Sequence, residues 1–309
     1  MSDLSLGTWR ALSSKQRAAA AAAIEDRSRG ALVLLHMQGA ATYELPAFAH
    51  VASKIVLQLV PGGTYRIGFS DDEWKLLEPQ YMGWDEADSV DGHLSSETIR
   101  PALDVVLRPF LLASRPLDAT QIEYLAASSA ERAVMEASVG RKRWDFQKVK
   151  KLPAASYVKY LEESSQGNQE TWDDVLRVEQ QLQLLGLRFP SEAEWEAAAR
   201  AGRYPCPFPH GERIPDDPGT GTNPFGFSNF GSESEVCADH FVNTRAGTPL
   251  DGTARTDGTN VPRVIKGGAG NIYPWQGCGE WTLLLCAART DGDDNEGFFA
   301  IRPAFELPR

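Results

Sequence analysis

One stretch of the chain contains the local signals for both the start and the end of a helix, namely Leu187-Arg188-Phe189-Pro190-Ser191-Glu192-Ala193-Glu194-Trp195-Glu196-Ala197-Ala198-Ala199-Arg200-Ala201-Gly202. Ser191 followed by Glu194 is a capping box, in which the serine hydroxyl accepts the Glu194 amide and the glutamate reaches back to the serine amide. Pro190 ends the preceding segment, and Gly202 stands where a helix commonly ends in a left-handed residue. The stretch therefore predicts a well-capped core helix.

The same stretch resembles the signature L-R-L-P-T-E-A-E-W-E-x-A-A-R-G-G of the formylglycine-generating enzyme (sulfatase-modifying factor) family. Other blocks match that family's pattern: Val60-Pro61-Gly62-Gly63, Arg108-Pro109-Phe110, Trp172-Asp173-Asp174, Arg263-Val264-Ile265-Lys266-Gly267-Gly268, Cys286-Ala287-Ala288-Arg289 and Ala300-Ile301-Arg302-Pro303-Ala304. The resemblance spans residues 59–306. It implies an α+β, loop-rich, C-type-lectin-like fold over residues 59–309, with residues 1–58 as an N-terminal helix and strand extension.

The extension has its own local signals. An alanine-rich helix is predicted to start at Ser13 or Ser14 and to end at Gly30. The apolar runs 31–37 and 55–60 follow, and no chemistry is indicated in this part of the chain.

Other segments give coarser expectations. Pro61-Gly62-Gly63 between two β-rich runs predicts a turn and resembles the family's opening hairpin. Polar composition predicts exposed loops at 85–98 and 244–260, and Asp118 or Thr120 is expected to cap a helix. A further helix that opens at Trp172 is predicted to place Val175, Val178, Leu182 and Leu185 on one face.

Composition describes a globular protein and narrows the classes of partner. The 309 residues are 42% hydrophobic and 24% charged, with a formal charge of -11 and a pI near 5.0. This charge argues against nucleic acid as a partner, because phosphate binding needs clustered cations; we interpret the basic segment 141–151 as a solvated connection. No apolar run reaches the roughly eighteen residues of a membrane span. Four cysteines do not form a disulfide framework in a chain of this length, which predicts a cytoplasmic protein with free thiols.

The family's oxidase chemistry needs a pair of cysteines that bind copper, between the two C-terminal blocks. Counting back from Cys286, those positions fall on Trp281 and Gln276; counting forward from the glycines, they fall on Ile272 and Gly277. Only Cys278 lies in the interval. Because a neutral side chain cannot replace a thiolate ligand, the sequence excludes a copper site of the family type, and no catalytic residue is predicted. The three-histidine iron pattern of the related sulfoxide synthases is also absent from the sequence.

A calcium site is a weaker expectation. Residues 223–240 resemble the family's calcium-binding turn, with Glu235 and Asp239 at the acidic positions and Ser232 in place of an asparagine. Calcium needs six to eight oxygen ligands, so an acidic loop without metal is the alternative. No other cofactor is predicted.

Two functional hypotheses remain. In the variable proteins of diversity-generating retroelements, which share this fold, the interval between the two glycines and the last block displays binding residues. Here that interval holds Tyr273, Trp275, Gln276, Glu280, Trp281 and Thr282. Aromatic residues interleaved with polar ones suit a surface that binds a protein or a small ligand, although Trp275 and Trp281 are equally compatible with a core. We therefore favour a non-catalytic, regulatory or defence-linked binding module. The alternative is a metal- or thiol-dependent oxidase that uses Cys278 with Cys237 or Cys286.

Overall fold

The computed structural model describes residues 4–85, 87–126, 172–215, 221–256, 262–268, 280–291 and 299–308. The helices are α1 (Leu6–Ala11), α2 (Ser14–Arg27), α3 (Asp71–Tyr81), α4 (Ala87–Leu94), α5 (Ala119–Ala126), α6 (Trp172–Leu184), α7 (Glu192–Arg200) and a 3-10 helix, Glu280–Leu284. The strands are β1 (Leu32–Gln38), β2 (Leu45–His50), β3 (Val56–Val60), β4 (Gly63–Ile67), β5 (Leu103–Leu107), β6 (Phe110–Ala113), β7 (Leu187–Arg188), β8 (Ser234–His240), β9 (Arg263–Gly267), β10 (Thr290–Asp291) and β11 (Ala304–Glu306). The fold is α+β, as the sequence predicts.

A six-stranded antiparallel sheet forms the base of the molecule. Its strand order is β1-β2-β3-β6-β11-β7, so β1 and β2 of the N-terminal extension join the sheet through β3, which pairs with β6. The extension also packs onto the main core through Trp9, which is fully buried and donates its indole N–H to the Tyr43 carbonyl at 2.7 Å. Residues 4–58 therefore contribute to the same hydrophobic core as the other parts of the chain that the structure describes.

The predicted N-terminal helix is confirmed. Ser13 and Gln16 form a reciprocal capping box at the start of α2, and Gly30 lies at φ 87° just beyond its end. Asp118 caps α5 by accepting the Gln121 amide at 2.9 Å. Helix α6 buries Val175, Val178 and Leu182 and leaves Leu185 partly buried, as its periodicity indicates. No described helix is long and apolar enough to cross a membrane.

The expected opening hairpin is wrong in its pairing. Strands β3 and β4 flank Pro61-Gly62 as predicted, but β4 leaves the large sheet and pairs with β5 in a separate two-stranded sheet. A Cβ atom at residue 62 would lie 2.8 Å from the ring of Pro109. The close approach of the two chain segments therefore requires glycine at this position. A third sheet, in the order β10-β9-β8, completes the strand set described.

The sequence does not predict helices α3 and α4. Helix α3 has its own capping box, Ser70 with Glu73, and α4 occupies part of the segment 85–98 that was expected to be a loop. Only Val90 and Leu94 of α4 are buried. Two apolar residues one turn apart, among polar neighbours, are too few to show a helical period in the sequence. Both helices enclose a second, smaller core with Phe69, Tyr81, Phe208 and Trp281.

Candidate functional site

Helix α7 lies at the centre of the polar interior. All nine of its residues are buried, including three glutamates and one arginine. Ser191 and Glu194 form the predicted capping box, and the Ser191 hydroxyl also donates to the Gly252 carbonyl at 2.8 Å. The carboxylate of Asp239 accepts the Glu192 amide at 2.7 Å, which adds a second cap at the positive end of the helix.

Glu196 and Arg200 of α7 pair with each other, and Arg200 also pairs with Glu73 of α3. Arg200 donates its Nε to Glu196 Oε1 at 2.9 Å and its Nη2 to the Gly68 carbonyl at 2.8 Å. Arg200 Nη1 also donates to Glu73, which is fully buried. Glu196 Oε1 additionally accepts the Gly68 amide at 2.7 Å, so this part of the network fixes the turn after β4 against α7.

The other charges converge on Glu192 and Glu196 from three separate segments. Arg245 Nη2 lies 3.0 Å from Glu192 Oε1 and 3.0 Å from Glu196 Oε2. Lys266 Nζ lies 3.5 Å from Glu192 Oε1 and 5.3 Å from the centre of the Trp195 ring. Arg289 Nη2 lies 3.3 Å from Glu192 Oε2. The network thus ties the 244–256 loop, β9 and the Cys286–Arg289 block to one helix.

The cations of the network favour the ionised form of both glutamates. Burial opposes ionisation of Glu192, but Arg289, Arg245 and Lys266 outweigh it and lower the pKa to about 2. Burial also opposes ionisation of Glu196, yet its cationic neighbours lower the pKa. Each carboxylate is therefore a structural anion with its oxygens engaged by cations.

Sequence reasoning missed Arg245, because the 244–260 segment was expected to be exposed. Arg245 is fully buried, and its backbone amide bonds to the Glu97 carbonyl at 3.2 Å. An isolated arginine in a Gly- and Thr-rich loop carries no local signal for such a position. The three glutamates of a core helix were the available signal, since buried carboxylates need cationic partners from elsewhere in the chain.

The predicted calcium ligands have protein partners. Glu235 is fully buried; its carboxylate accepts Arg302 Nε at 2.6 Å and Nη2 at 2.8 Å, and the Trp195 indole N–H at 2.8 Å. Asp239 accepts the amides of Glu192 and Arg255, the latter at 2.8 Å. A guanidinium therefore supplies the positive charge beside Glu235. Calcium at these residues stays a prediction, and no described group of three or more His, Cys, Asp or Glu side chains has the arrangement of a metal site.

The thiols in the described part of the chain are free, as predicted, and all are buried: Cys206, Cys237 and Cys286. Burial raises the pKa of Cys206 and raises those of Cys237 and Cys286 well above the ordinary value. A thiolate is therefore disfavoured at each position, and thiolate is the form that reacts or binds soft metals. Cys278 lies outside the described residues.

The predicted binding residues fall into two groups. Trp281 is 2% exposed and packs between Tyr81 and Phe208, with ring centres 5.9 Å away in each case, so its ring belongs to the core. Thr282 is also buried, and Glu280 begins the 3-10 helix. Tyr273, Trp275 and Gln276 lie outside the described residues, as does the basic segment 141–151.

Comparison with known proteins places this arrangement in a family. Residues 49–235 match the model of the sulfatase-modifying factor enzyme 1-like domain. The structure of PvdO from Pseudomonas aeruginosa is similar with a TM-score of 0.50 and 18% identity, over 84% of this chain and 98% of that one. The Treponema denticola variable protein 1 gives a TM-score of 0.52 and 12% identity, over 82% of this chain and 95% of that one. No curated protein sequence matches. At these identities the two structures show a shared fold.

Proposed function

The chain belongs to the sulfatase-modifying factor enzyme 1-like family, and within it we propose that this protein is a binding module, with its contact residues between Gly268 and the 3-10 helix. The partner is a protein or a small ligand, as in the sequence-based hypothesis. The proposal concerns how the family scaffold is used, because one fold can serve many functions.

One observation carries the proposal: both ends of the segment 269–279 are attached to rigid elements. At the first end, Gly267 pairs with Ser234 across the β8–β9 ladder, and a side chain at Gly267 would meet the Glu233 carbonyl at 2.5 Å. At the second end, Trp281 is held between two buried rings. A binding segment on fixed anchors loses less conformational freedom when it meets a partner.

The residue types in the segment fit this role. Tyr273 and Trp275 bring large, stiff rings, and Gln276 brings an amide that can donate and accept hydrogen bonds. Trp281, by contrast, supports the proposal as an anchor for the segment and contributes no exposed contact area.

Burial of the thiols favours the binding module over the oxidase alternative. A thiol-dependent oxidase with Cys237 or Cys286 as a partner of Cys278 would need to expose and deprotonate a side chain whose pKa burial raises. Glu192 and Glu235, two of the carboxylates that act on Cys237, already pair with buried cations.

The contact residues can be tested by quantitative capture. The purified chain, immobilised, is compared with a Tyr273→Ala, Trp275→Ala, Gln276→Ala variant for proteins retained from a native lysate and for small molecules retained after ultrafiltration. We expect the variant to lose the specifically retained molecule. A matched control, Leu184→Ala on the exposed face of α6, keeps it, since Leu184 is 79% exposed and remote in sequence. Equal retention by all three proteins would overturn the proposal.

The oxidase alternative has a separate test. Protein purified without chelator is analysed for copper and iron, and oxygen uptake is followed with a thiol-containing peptide as the reductant. The binding module predicts substoichiometric metal and no protein-dependent uptake. Stoichiometric metal with uptake that Cys278→Ser abolishes would establish the oxidase instead.

A further inference from the structure

Two large apolar side chains, separated by one glycine in the sequence, are exposed just after the end of helix α3. Met82 is 60% exposed and Trp84 is 39% exposed. Single exposed apolar residues are ordinary, but Met and Trp are enriched at protein interfaces, and tryptophan is the commonest hot-spot residue. The turn that carries them therefore has the composition of a contact surface.

Backbone hydrogen bonds hold this turn in one conformation. The Met82 amide donates to the Glu78 carbonyl at 3.0 Å, and the Trp84 amide donates to the Tyr81 carbonyl at 3.0 Å. The Ala87 amide in turn donates to the Trp84 carbonyl at 3.2 Å, which joins the turn to α4. Tyr81 anchors the start of the turn, because its buried ring packs on Trp281 and its hydroxyl donates to Asp91 at 2.5 Å.

The charged residues of the sequence from Glu78 to Asp88 are all acidic. Glu78, Asp85 and Asp88 are exposed, and none of them has an ion-pair partner among the residues that the structure describes. The nearest exposed cation on α3, Lys75, already pairs with Asp72 at 3.2 Å. We call Glu78, Met82, Trp84, Asp85 and Asp88 the acidic-aromatic surface.

A cavity opens at the same end of α3. It has a volume of about 550 Å³ and is lined by Gln80 and residues 210–215. Gln80 keeps it in shape, since its side-chain amide donates to the Glu212 carbonyl at 3.0 Å and accepts the Ile214 amide at 2.9 Å. Because its lining includes the cation Arg213, this concave surface suits an uncharged side chain of a partner that contacts the neighbouring turn.

From these observations we propose that the acidic-aromatic surface binds a basic peptide segment of a partner protein, one that carries lysine or arginine beside an apolar anchor residue. The cations of the partner meet three unpaired carboxylates and the face of the Trp84 ring, where a cation is attracted to the π-electrons. The apolar anchor covers Met82. An acidic or purely polar segment gains neither contact.

This inference goes beyond the proposed function, because it concerns a different segment of the chain. Residues 78–88 do not overlap with 269–282, and the two surfaces can be inactivated separately. Loss of one therefore leaves the other testable.

The probe is a library of short random peptides displayed on phage, selected on the full-length chain at low salt. We expect enriched peptides to carry lysine or arginine beside leucine, phenylalanine or tryptophan. The best of them, made synthetically with a fluorophore, is measured by anisotropy. Trp84→Ala should weaken binding by about tenfold or more, as expected for a hot-spot residue. Met82→Ala should weaken it less.

Charge has its own readout. A Glu78→Gln, Asp85→Asn, Asp88→Asn variant should bind more weakly and show a smaller loss of affinity between low and physiological salt, because the screened interactions are gone. Leu184→Ala and the Tyr273→Ala, Trp275→Ala, Gln276→Ala variant should bind the peptide as the unmodified chain does. Failure to enrich any peptide, enrichment without basic residues, or unchanged binding by Trp84→Ala would each overturn the inference.

Discussion

Replacement of Glu196 by glutamine tests whether the buried ion network holds the fold together. Glu196 is fully buried, and its two oxygens serve Arg200 Nε at 2.9 Å, Arg245 Nη2 at 3.0 Å and the Gly68 amide at 2.7 Å. Glutamine has nearly the same shape, so the substitution removes a charge without leaving a cavity. It also turns one acceptor oxygen into an N–H donor that faces a guanidinium.

The magnitude follows from these contacts. A hydrogen bond to a charged group contributes roughly 1.5–3 kcal/mol, and the amide group can preserve only part of the three that Glu196 makes. Breaking a buried ion pair from one side costs about 3–5 kcal/mol, because the remaining cations stay buried without compensation. We therefore expect Glu196→Gln to lower the free energy of unfolding by about 3–5 kcal/mol, a large part of the roughly 5–15 kcal/mol of an ordinary domain.

The assay is urea unfolding at neutral pH, with Glu194→Gln as the matched control. Glu194 lies on the same helix but pairs with Arg188, whose side chain is 39% exposed, and glutamine can keep the capping box. The control should lose about 1 kcal/mol, as for a partly exposed pair. An equal loss in both variants, or a loss below about 1 kcal/mol for Glu196→Gln, would refute the reasoning.

A pH series adds a second readout on the same variants. The folded-state pKa of Glu196 lies below its ordinary value of 4.5, so the unfolded chain takes up a proton first as the pH falls. The stability that ionised Glu196 contributes is complete above pH 4.5 and is lost as the pH falls through the folded-state pKa. The difference between wild type and Glu196→Gln should therefore shrink in acid.

Three further outcomes are expected. Gly267→Ala should lower the free energy of unfolding by about 2–5 kcal/mol, because alanine disfavours the left-handed conformation and its Cβ would overlap the backbone. Gly186 is also left-handed, but a Cβ there meets nothing within 4 Å, so Gly186→Ala should lower it by only about 1 kcal/mol. Equal losses in the two variants would contradict the overlap at Gly267. The thiols of Cys237 and Cys286 should react with a disulfide reagent only after unfolding, and rapid reaction of the native protein would show that they are not buried. Burial, reinforced by the charge of Glu192, raises the pKa of Asp239 to about 6, so its contribution to stability should decline as the pH rises from about 4 to about 6; an Asp239→Asn variant with the same slope would contradict this assignment.

Local signals in the sequence predicted the elements that depend on local contacts. The capping box at Ser191, the cap at Asp118 and the periodicity of α6 involve residues within four positions of one another, and each is confirmed. Helix α4 was missed because it buries only Val90 and Leu94, and β4 was given the wrong partner because strand pairing is decided across distant parts of the chain.

The site was predictable only in part, because many of its contacts join residues that are far apart in the sequence. That the family's cysteine positions are substituted follows from counting residues between Gly268 and Cys286 in the sequence, and it stays a prediction. The role of Arg245 cannot be read from the sequence, because its position is set by Glu192 and Glu196, which lie about fifty residues earlier. Trp281 was compatible with both a surface and a core, and only its contacts with Tyr81 and Phe208 place it in the core.

The contribution of the first strands to the large sheet has a practical consequence for anyone who cuts the chain. The family match starts at residue 49, inside β2, so a fragment trimmed to that boundary would sever β2 and discard β1. The ladder between Ala47 and Gln58 would be lost, and the backbone groups of β3 would form an open edge next to apolar side chains. Such an edge invites self-association. Fragments of this protein should therefore begin before Leu4, whose side chain is buried and whose carbonyl accepts the Gly62 amide at 3.0 Å.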